Sequence, residues 1–244
     1  MNEKIYNILK EYYTKNNLTP TSGISKVKSL QEVWFEISDD ILKNIDINDL
    51  FIESYINEVE VLKYSKNTHK EVSSNVYLND FYKEKICKNI KCLTFYSFYP
   101  ALLVKLVDNN IIDINNMNYY LIFKYFFVNR KYFKNTEVYY IVRMLITTFY
   151  GILISDKTKI INSDNIYHFD KYKSLMFDDI KLKLKKDLIY LDTDEFYYVD
   201  NSYKFDYDIS FEIENIKEFL IFKMKKYITV NEDNITSYHG FKTL

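Results

Sequence analysis

The sequence predicts an α+β protein in which an antiparallel sheet is packed against helices. Residues 187–199 read Asp-Leu-Ile-Tyr-Leu-Asp-Thr-Asp-Glu-Phe-Tyr-Tyr-Val, two apolar and aromatic runs around a tight turn, as in a β-hairpin. Residues 118–132 and 137–154 have the apolar spacing of two consecutive helices. Residues 89–107 indicate a strand that turns into a helix at Tyr99-Pro100, because proline is favoured just inside a helix start.

The N-terminal third of the chain is predicted to be mainly helical. Residues 4–13 have a helical apolar spacing, and so do residues 25–37, which hold the only tryptophan, Trp34. Residues 19–23, Thr-Pro-Thr-Ser-Gly, predict a loop between them. Residues 51–62 mix apolar and acidic side chains and fit a strand or a helix.

The C-terminal part is predicted to contribute most of the sheet. Residues 167–184 fit a helix or an extended segment, and residues 205–213 alternate as a strand does. Residues 216–226 have an apolar face that suits a strand or a helix. Residues 227–230 and 238–241 predict two short final strands.

Composition indicates a folded protein and excludes a strongly basic nucleic-acid binder. Hydrophobic residues make up 48% and aromatic residues 18%, which is too much apolar surface for a disordered chain. The excess of Tyr, Phe, Lys, Asn and Ile is typical of a genome rich in A and T, such as that of a virus or plasmid. Because the net charge is −1, any contact with nucleic acid must come from local patches.

The chain is expected to be a soluble, cytoplasmic protein without a membrane partner. Cys87 and Cys92 suggest neither a disulfide framework nor a zinc site, so a reducing compartment is the default. The N-terminus lacks the apolar core of a signal peptide. The apolar stretch 139–154 contains Arg143, which would cost roughly 2.5–3.5 kcal/mol at the centre of a membrane span.

The predicted turn of the hairpin carries two carboxylates, Asp192 and Asp194. Carboxylates this close repel each other unless a cation relieves them, and hard oxygen ligands suit Mg²⁺ or Mn²⁺. A bare Asp-x-Asp is more often a solvated acidic turn without a ligand, so the case for a metal depends on other stretches.

Several stretches, in this order, resemble family B DNA polymerases, most closely their protein-primed branch. Residues 95–103, Phe-Tyr-Ser-Phe-Tyr-Pro-Ala-Leu-Leu, are similar to the first palm motif, and residues 143–151, Arg-Met-Leu-Ile-Thr-Thr-Phe-Tyr-Gly, to the fingers motif. Residues 190–195, Tyr-Leu-Asp-Thr-Asp-Glu, resemble the second palm motif. Residues 225–227 with residues 239–242 are similar to the Lys-x-Tyr motif and the stretch that closes the palm.

A weaker similarity precedes the palm. Residues 54–60, Ser-Tyr-Ile-Asn-Glu-Val-Glu, resemble the Tyr-x-Gly-Gly segment of the family, although both glycines are replaced. The resemblance therefore covers about residues 50–244.

The resemblance implies a catalytic centre with one essential change. Asp194, supported by Asp192, would bind Mg²⁺ or Mn²⁺, but Thr94 occupies the position of the other metal-binding aspartate. Because a hydroxyl is a neutral and weaker ligand, we expect catalysis by the two-metal mechanism to be weak or lost.

The resemblance also assigns contacts with substrates. Backbone amides of Ser97, Phe98 and Tyr99 would bind the triphosphate, and the Tyr99 ring would exclude a ribose 2′-OH. The remaining nucleotide-binding residues would be Arg143, Lys131 or its neighbour Arg130, and Tyr150. Primer–template DNA would contact Gly151, Lys225, Lys226 and Tyr227.

The predicted domains are an N-terminal segment (1–92), a first palm part (93–115), a fingers-like two-helix hairpin (116–152) and a second palm part (153–244), with neither thumb nor exonuclease. The leading hypothesis is a reduced polymerase-like protein that binds nucleic acid, other replication proteins, or both. Two alternatives stay open, the palm and fingers subunit of a split, active DNA polymerase and a structural scaffold that retains the palm fold.

Overall fold

The computed structural model describes residues 2–16, 29–50, 76–153, 163–207 and 209–241. The predicted loop at residues 19–23 and the ambiguous segment 51–62, which includes the weak similarity at residues 54–60, lie outside the described residues. The chain divides into two compact units. One comprises Met1–Glu60 and Leu103–Phe169, and the other Val61–Leu102 and Asp170–Leu244.

Six α-helices lie in the described part of the chain, and none of them combines the length and apolar character that a membrane span requires. They are α1 (Glu3–Lys15), α2 (Leu30–Asn44), α3 (Phe98–Asp108), α4 (Met117–Asn129), α5 (Tyr139–Leu153) and α6 (Ser163–Leu184). The predicted helices at residues 4–13, 118–132 and 137–154 are confirmed, and residues 167–184 are helical rather than extended. The division into palm and fingers segments stays a prediction.

In the first unit, side chains cap the starts of α1 and α2, and a buried contact joins α2 to α5. The Asn2 side chain accepts bonds from the first amides of α1, and Ser29 and Glu32 form a capping box at the start of α2. Fully buried Trp34 donates its Nε1–H to the Leu145 carbonyl at 3.1 Å, which ties α2 to α5.

The second unit contains one antiparallel sheet, so the predicted α+β class is confirmed. Its strands are β1 (Val76–Leu78), β2 (Ile86–Cys87), β3 (Ile90–Phe95), β4 (Leu188–Asp192), β5 (Glu195–Val199), β6 (Phe211–Lys223), β7 (Lys226–Asn231) and β8 (Thr236–His239). The strand order is β1-β4-β5-β3-β6-β7-β8, and β2 pairs with β6.

Both faces of this curled sheet bury aromatic side chains. On one face, Phe95 packs against Phe98 of α3 with ring centroids 5.4 Å apart, and Phe196 packs against Phe177 of α6 at 5.2 Å. The other face encloses a second core. Its buried members include Cys92, Tyr190, Tyr197, Phe219 and Tyr227.

Two predictions about the final strands need correction or completion. The strand predicted at residues 205–213 begins too early, because regular pairing starts only at Phe211. The alternating aromatic residues before it pack on other elements instead: the Tyr207 hydroxyl donates to Asp179 of α6 at 2.9 Å, and its ring contacts Phe205. The ambiguous segment at residues 216–226 is strand as far as residue 223, within the 13-residue β6.

Candidate nucleic-acid interface at the acidic hairpin

The predicted hairpin is confirmed, with Asp192 and Asp194 at its turn. Asp192 ends β4 and pairs with Glu195, which begins β5, so Thr193 and Asp194 form a two-residue loop. Thr193 has φ of 60°, a left-handed conformation that is unfavourable for a β-branched residue. The Thr193 hydroxyl donates to the Asp192 carboxylate at 3.2 Å, and the Asp194 N–H donates to the Asp192 carbonyl at 2.8 Å.

Thr94, which the resemblance aligns with a metal-binding aspartate, lies beside this turn. In the sheet, Thr94 pairs with Glu195 of β5 on one side and with Glu212 of β6 on the other. The N–H of the next residue, Phe95, donates to the Asp194 carbonyl at 3.2 Å. The fold therefore brings the first and the second palm-like motifs together at one end of the sheet.

The surroundings of Thr94 suit a neutral side chain. Its Oγ1 lies 3.4 Å from the Cys92 Sγ, and burial raises the pKa of the Cys92 thiol to about 12. Glu212, its neighbour on β6, accepts a hydrogen bond from the Tyr96 hydroxyl.

Asp194 binds its proton more tightly than an ordinary aspartate does. Burial, followed by the charges of Glu195 and Asp192, raises the pKa of the Asp194 carboxyl to about 6. Within the residues that the structure describes, no lysine or arginine forms an ion pair with any of these three carboxylates. The turn thus concentrates negative charge without a basic side chain to offset it.

Glu195 accepts hydrogen bonds from two phenols, and the resemblance predicted neither contact. Its Oε2 accepts from the Tyr197 hydroxyl at 2.9 Å and from the Tyr227 hydroxyl at 3.2 Å. Tyr197 lies two residues further along β5, on the same face of the sheet. Tyr227 comes from β7, so only the folded sheet reveals its contact with Glu195.

The predicted basic motif reaches the acidic turn through Tyr190. The Lys225 N–H, in the turn between β6 and β7, donates to the Tyr190 hydroxyl at 2.7 Å. That hydroxyl lies 3.3 Å from the Asp192 carboxylate. Gly240 packs on the same turn so closely that an added Cβ would stand 1.8 Å from the Lys225 carbonyl oxygen.

The side chains of this basic motif have different exposures. Lys225 is exposed, and the half-buried Lys226 holds its ammonium 4.6 Å from the centre of the Phe241 ring. Tyr227 is buried, with its ring stacked on His239 at 4.2 Å and its hydroxyl on Glu195. Contact of Tyr227 with nucleic acid stays a prediction. In the structure, its side chain is already engaged by His239 and Glu195.

The predicted nucleotide-binding residues after β3 lie next to the same turn. Ser97 adopts φ of 51° and its carbonyl accepts from Ala101 N–H at 3.0 Å, so it leads into α3. The Phe98 side chain is fully buried and can offer a ligand only its backbone. Burial, then the charges of Asp194 and Asp170, raises the pKa of the half-buried Tyr99 phenol to about 12.

The other predicted contacts lie in the first unit. Arg143 is exposed on α5, and exposed Lys131 holds its ammonium 5.0 Å from the Tyr132 ring centre. Tyr150 is half-buried against Phe169, with ring centroids 5.1 Å apart. Exposed Gly151 lies on α5, where an added Cβ would meet no atom within 4 Å. Their roles stay predictions.

The residues at the acidic turn do not fit a two-metal centre. Across the described ranges, no group of three or more His, Cys, Asp or Glu side chains is placed to hold a metal ion. Asp192 and Asp194 are the candidate ligands for Mg²⁺ or Mn²⁺, but Thr94 contributes a hydroxyl that faces a thiol.

No protein-family model and no curated protein sequence matches this chain. Among solved structures, the chain is similar to the family B DNA polymerase from the hyperthermophilic archaeon Pyrobaculum calidifontis, with a TM-score of 0.45 and 13% sequence identity. The similarity covers 65% of this chain and 28% of that polymerase chain, so this chain spans less than a third of its length.

Proposed function

We propose that this protein is a reduced, family B polymerase-like protein that binds nucleic acid and has little or no catalytic activity. One observation supports this most directly. Thr94, the Asp192–Asp194 turn and the Lys225 turn come from separate parts of the chain, yet the bonds of Phe95 to Asp194 and of Lys225 to Tyr190 connect them within one sheet.

The candidate metal ligands support impaired catalysis. Phosphoryl transfer by two metals needs carboxylates from separate strands, which hold the cations that stabilise the attacking and leaving oxygens. Here β3 contributes the Thr94 hydroxyl, and the pKa of the Asp194 carboxyl is raised to about 6. A single carboxylate pair on one turn holds a divalent cation weakly.

The positive charge around the β6–β7 turn supports binding of nucleic acid. Between Glu218 and Glu232 the chain contains Lys223, Lys225 and Lys226 and no acidic residue. All three lysines lie at or beside the β6–β7 turn. Lysines placed in this way neutralise phosphates regardless of base sequence, which is the task that the resemblance assigns to this motif.

The test is a titration of fluorescently labelled primed DNA with the whole chain at several salt concentrations. We expect binding that weakens steeply with salt, with a logarithmic slope of about −0.9 per neutralised phosphate. A double variant, Lys225→Gln with Lys226→Gln, should reduce the magnitude of that slope by roughly 2. The matched control, Lys4→Gln with Lys43→Gln, changes two lysines on α1 and α2 and should leave it unchanged.

The same experiment separates the alternatives. No binding at low salt would contradict the proposal and favour the scaffold. Primer extension with Mg²⁺ by the unmodified chain, abolished by Asp194→Ala, would contradict impaired catalysis and favour an active polymerase. Extension only after other replication proteins are added would favour the split polymerase, which the intact Asp192-Thr193-Asp194 sequence permits. DNA and such replication proteins are the partners that this proposal names.

A further inference from the structure

We call the face of β6, β7 and β8 that is opposite the buried Tyr227 side chain the outer face of the sheet. On this face, a row of apolar side chains crosses the four strands β2, β6, β7 and β8. Register pairs Ile86 with Leu220, Leu220 with Ile228, and Ile228 with Tyr238. Residues paired in this way point to the same side of a sheet. Ile86 is 63% exposed and Tyr238 is 66% exposed, and the two residues between them are half-exposed.

The next row of paired residues on the same strands points to the inner face, and its side chains are buried rather than exposed. Cys87 pairs with Phe219, and Phe219 with Thr229, and all three side chains are buried. The inner row is thus part of the core, whereas the outer row leaves apolar surface in water. A contiguous apolar surface of this kind indicates a binding surface.

Three aromatic rings form the end of the outer face. Phe241 contacts the Phe222 ring edge-on with centroids 5.8 Å apart, and the Tyr238 ring edge-on at 6.0 Å. The Lys226 ammonium lies 4.6 Å from the centre of the Phe241 ring, a cation–π contact. The exposed aromatic surface therefore has a positive charge directly beside it.

The charge around this end is basic. Lys223 and Lys225 are exposed and neighbour Lys226 in the β6–β7 turn, and residues 234–241 contain no acid. Glu232 lies past the far end of β7, about 20 Å from Lys226 at the usual rise of a strand.

Two acids near the outer face have basic neighbours. Glu218 lies further along β6, and the Lys88 ammonium is 4.0 Å from its carboxylate. Glu84, whose N–H donates to the Ile221 carbonyl, is flanked in sequence by Lys83 and Lys85. The region around the aromatic end therefore attracts anions.

We propose that the outer face binds single-stranded nucleic acid, whose bases stack on Tyr238 while Lys223 and Lys226 neutralise the phosphates. This inference rests on the proposed function, because it names the form of nucleic acid that the protein binds. Exposed aromatic rings with lysines beside them are the features by which proteins hold unpaired bases without reading their sequence.

A single strand fits these features better than a duplex or a protein partner. Bases in a duplex are stacked on each other and cannot cover the Tyr238 ring, whereas unpaired bases can. A protein partner with an apolar surface would not explain the three lysines at this end.

The test compares a labelled single-stranded oligothymidine with a duplex of equal length, by fluorescence anisotropy on the whole chain. Tyr238→Ala should weaken binding of the single strand roughly 5- to 150-fold, the range that follows from base–aromatic stacking. The slope of its salt dependence should not change, because stacking releases no counterions. Duplex binding should also be unchanged.

Three further variants complete the design. Tyr238→Phe retains the ring and should bind the single strand as the unmodified chain does. Tyr77→Ala removes an aromatic side chain that is 38% exposed on β1, the opposite edge strand, and should have no effect. Lys226→Gln should reduce the magnitude of the single-strand salt slope by about 0.7.

The outcomes distinguish this inference from the function on which it rests. Single-strand binding that Tyr238→Ala leaves unchanged, while the lysine variants weaken it, overturns the stacking surface and leaves the proposed function standing. Loss of duplex and single-strand binding to the same degree in Tyr238→Ala also overturns the stacking surface. Binding of neither nucleic acid by the unmodified chain overturns both, and would assign the outer face to a protein partner.

Discussion

Thr94 and Glu195 lie directly opposite each other in the antiparallel pairing of β3 with β5. Thr94 therefore has a carboxylate as its cross-strand neighbour, and a second one, Glu212, on its other side. With Cys92 next to it on the same face, the hydroxyl of Thr94 is a neutral group between two acids. A carboxylate at this position would need a cation.

We predict that Thr94→Asp destabilises the protein in the absence of divalent cations and that Mg²⁺ or Mn²⁺ reverses the loss. The new carboxylate would be placed between Glu195 and Glu212, and like charges opposite each other in a sheet are unfavourable. We expect a decrease of about 1–2 kcal/mol in the free energy of unfolding with EDTA. Thermal unfolding with and without the metal measures both effects.

Thr94→Asn is the control for this prediction, because it has the same shape as Asp without its charge. It should respond to Mg²⁺ no more than the unmodified chain does. A Thr94→Asp variant whose stability ignores divalent cations would mean that the turn cannot assemble a metal site. Primer extension restored by Thr94→Asp would instead show that the other catalytic parts are intact.

A second prediction concerns pH. Because the pKa of Asp194 is about 6 in the folded protein and near 3.8 when unfolded, the folded state binds this proton more tightly. Asp194 therefore lowers stability as pH rises through this interval, and the loss is complete above about pH 6. Asp194→Asn should raise the melting temperature at pH 8 relative to the unmodified chain and have little effect at pH 3.5.

Thermal unfolding of both proteins between pH 3.5 and pH 8 measures this difference. Asp170→Asn is a suitable comparison, since this aspartate pairs with Lys173 at 2.7 Å and its removal should not stabilise the protein at pH 8. Equal melting temperatures for the unmodified chain and Asp194→Asn across the whole range would contradict the burial and charge repulsion that we describe for Asp194.

The third prediction tests how the basic turn is tied to the acidic one. Tyr190→Phe removes the acceptor of the Lys225 N–H, a bond of 2.7 Å, and should cost about 1–2 kcal/mol of stability. Hydrogen exchange of the Lys225 amide should become faster, because that N–H loses its partner. Tyr227→Phe is the matched control: it removes a bond to Glu195 but leaves the Lys225 amide as slow as before.

The sequence predicts those elements of the fold that are determined by residues close together in the chain. The acidic hairpin and the passage from β3 into α3 were predicted, because turn residues and alternation within a dozen residues determine them. The alternation at residues 205–213 predicted the start of this strand too early, since Phe205 and Tyr207 pack on aromatic neighbours and α6 rather than pairing. Alternation alone does not show what a side chain will contact.

Within the candidate site, the sequence predicted the residues that belong to the motifs but not the hydrogen bonds between distant strands. The position of Thr94 beside Asp194 followed from the resemblance, and the register of β3 with β5 agrees with it. The bonds of Tyr190 to Lys225 and of Tyr227 to Glu195 join strands that are more than 30 residues apart in sequence. Such contacts depend on the whole sheet, and a single sequence contains no local pattern for them.

The last prediction is that substitution by alanine has opposite effects on stability at Gly240 and at Gly151, the two glycines in the motif stretches. Gly240 has φ of +70°, and an added Cβ would stand 1.8 Å from the Lys225 carbonyl oxygen, a backbone atom that cannot move away cheaply. Gly240→Ala should therefore cost about 2–4 kcal/mol. Gly151 lies in a helix with open space around it, so Gly151→Ala should stabilise the protein by about 1 kcal/mol.

Measuring DNA binding for the same two variants gives each glycine a separate test. If nucleic acid approaches the backbone at Gly151, as the resemblance implies, Gly151→Ala should weaken binding although it stabilises the fold. A variant that is more stable and binds equally well would remove Gly151 from the interface. Because Gly240 supports the Lys225 turn, Gly240→Ala should weaken both stability and binding, and unchanged binding there would contradict the role of that turn.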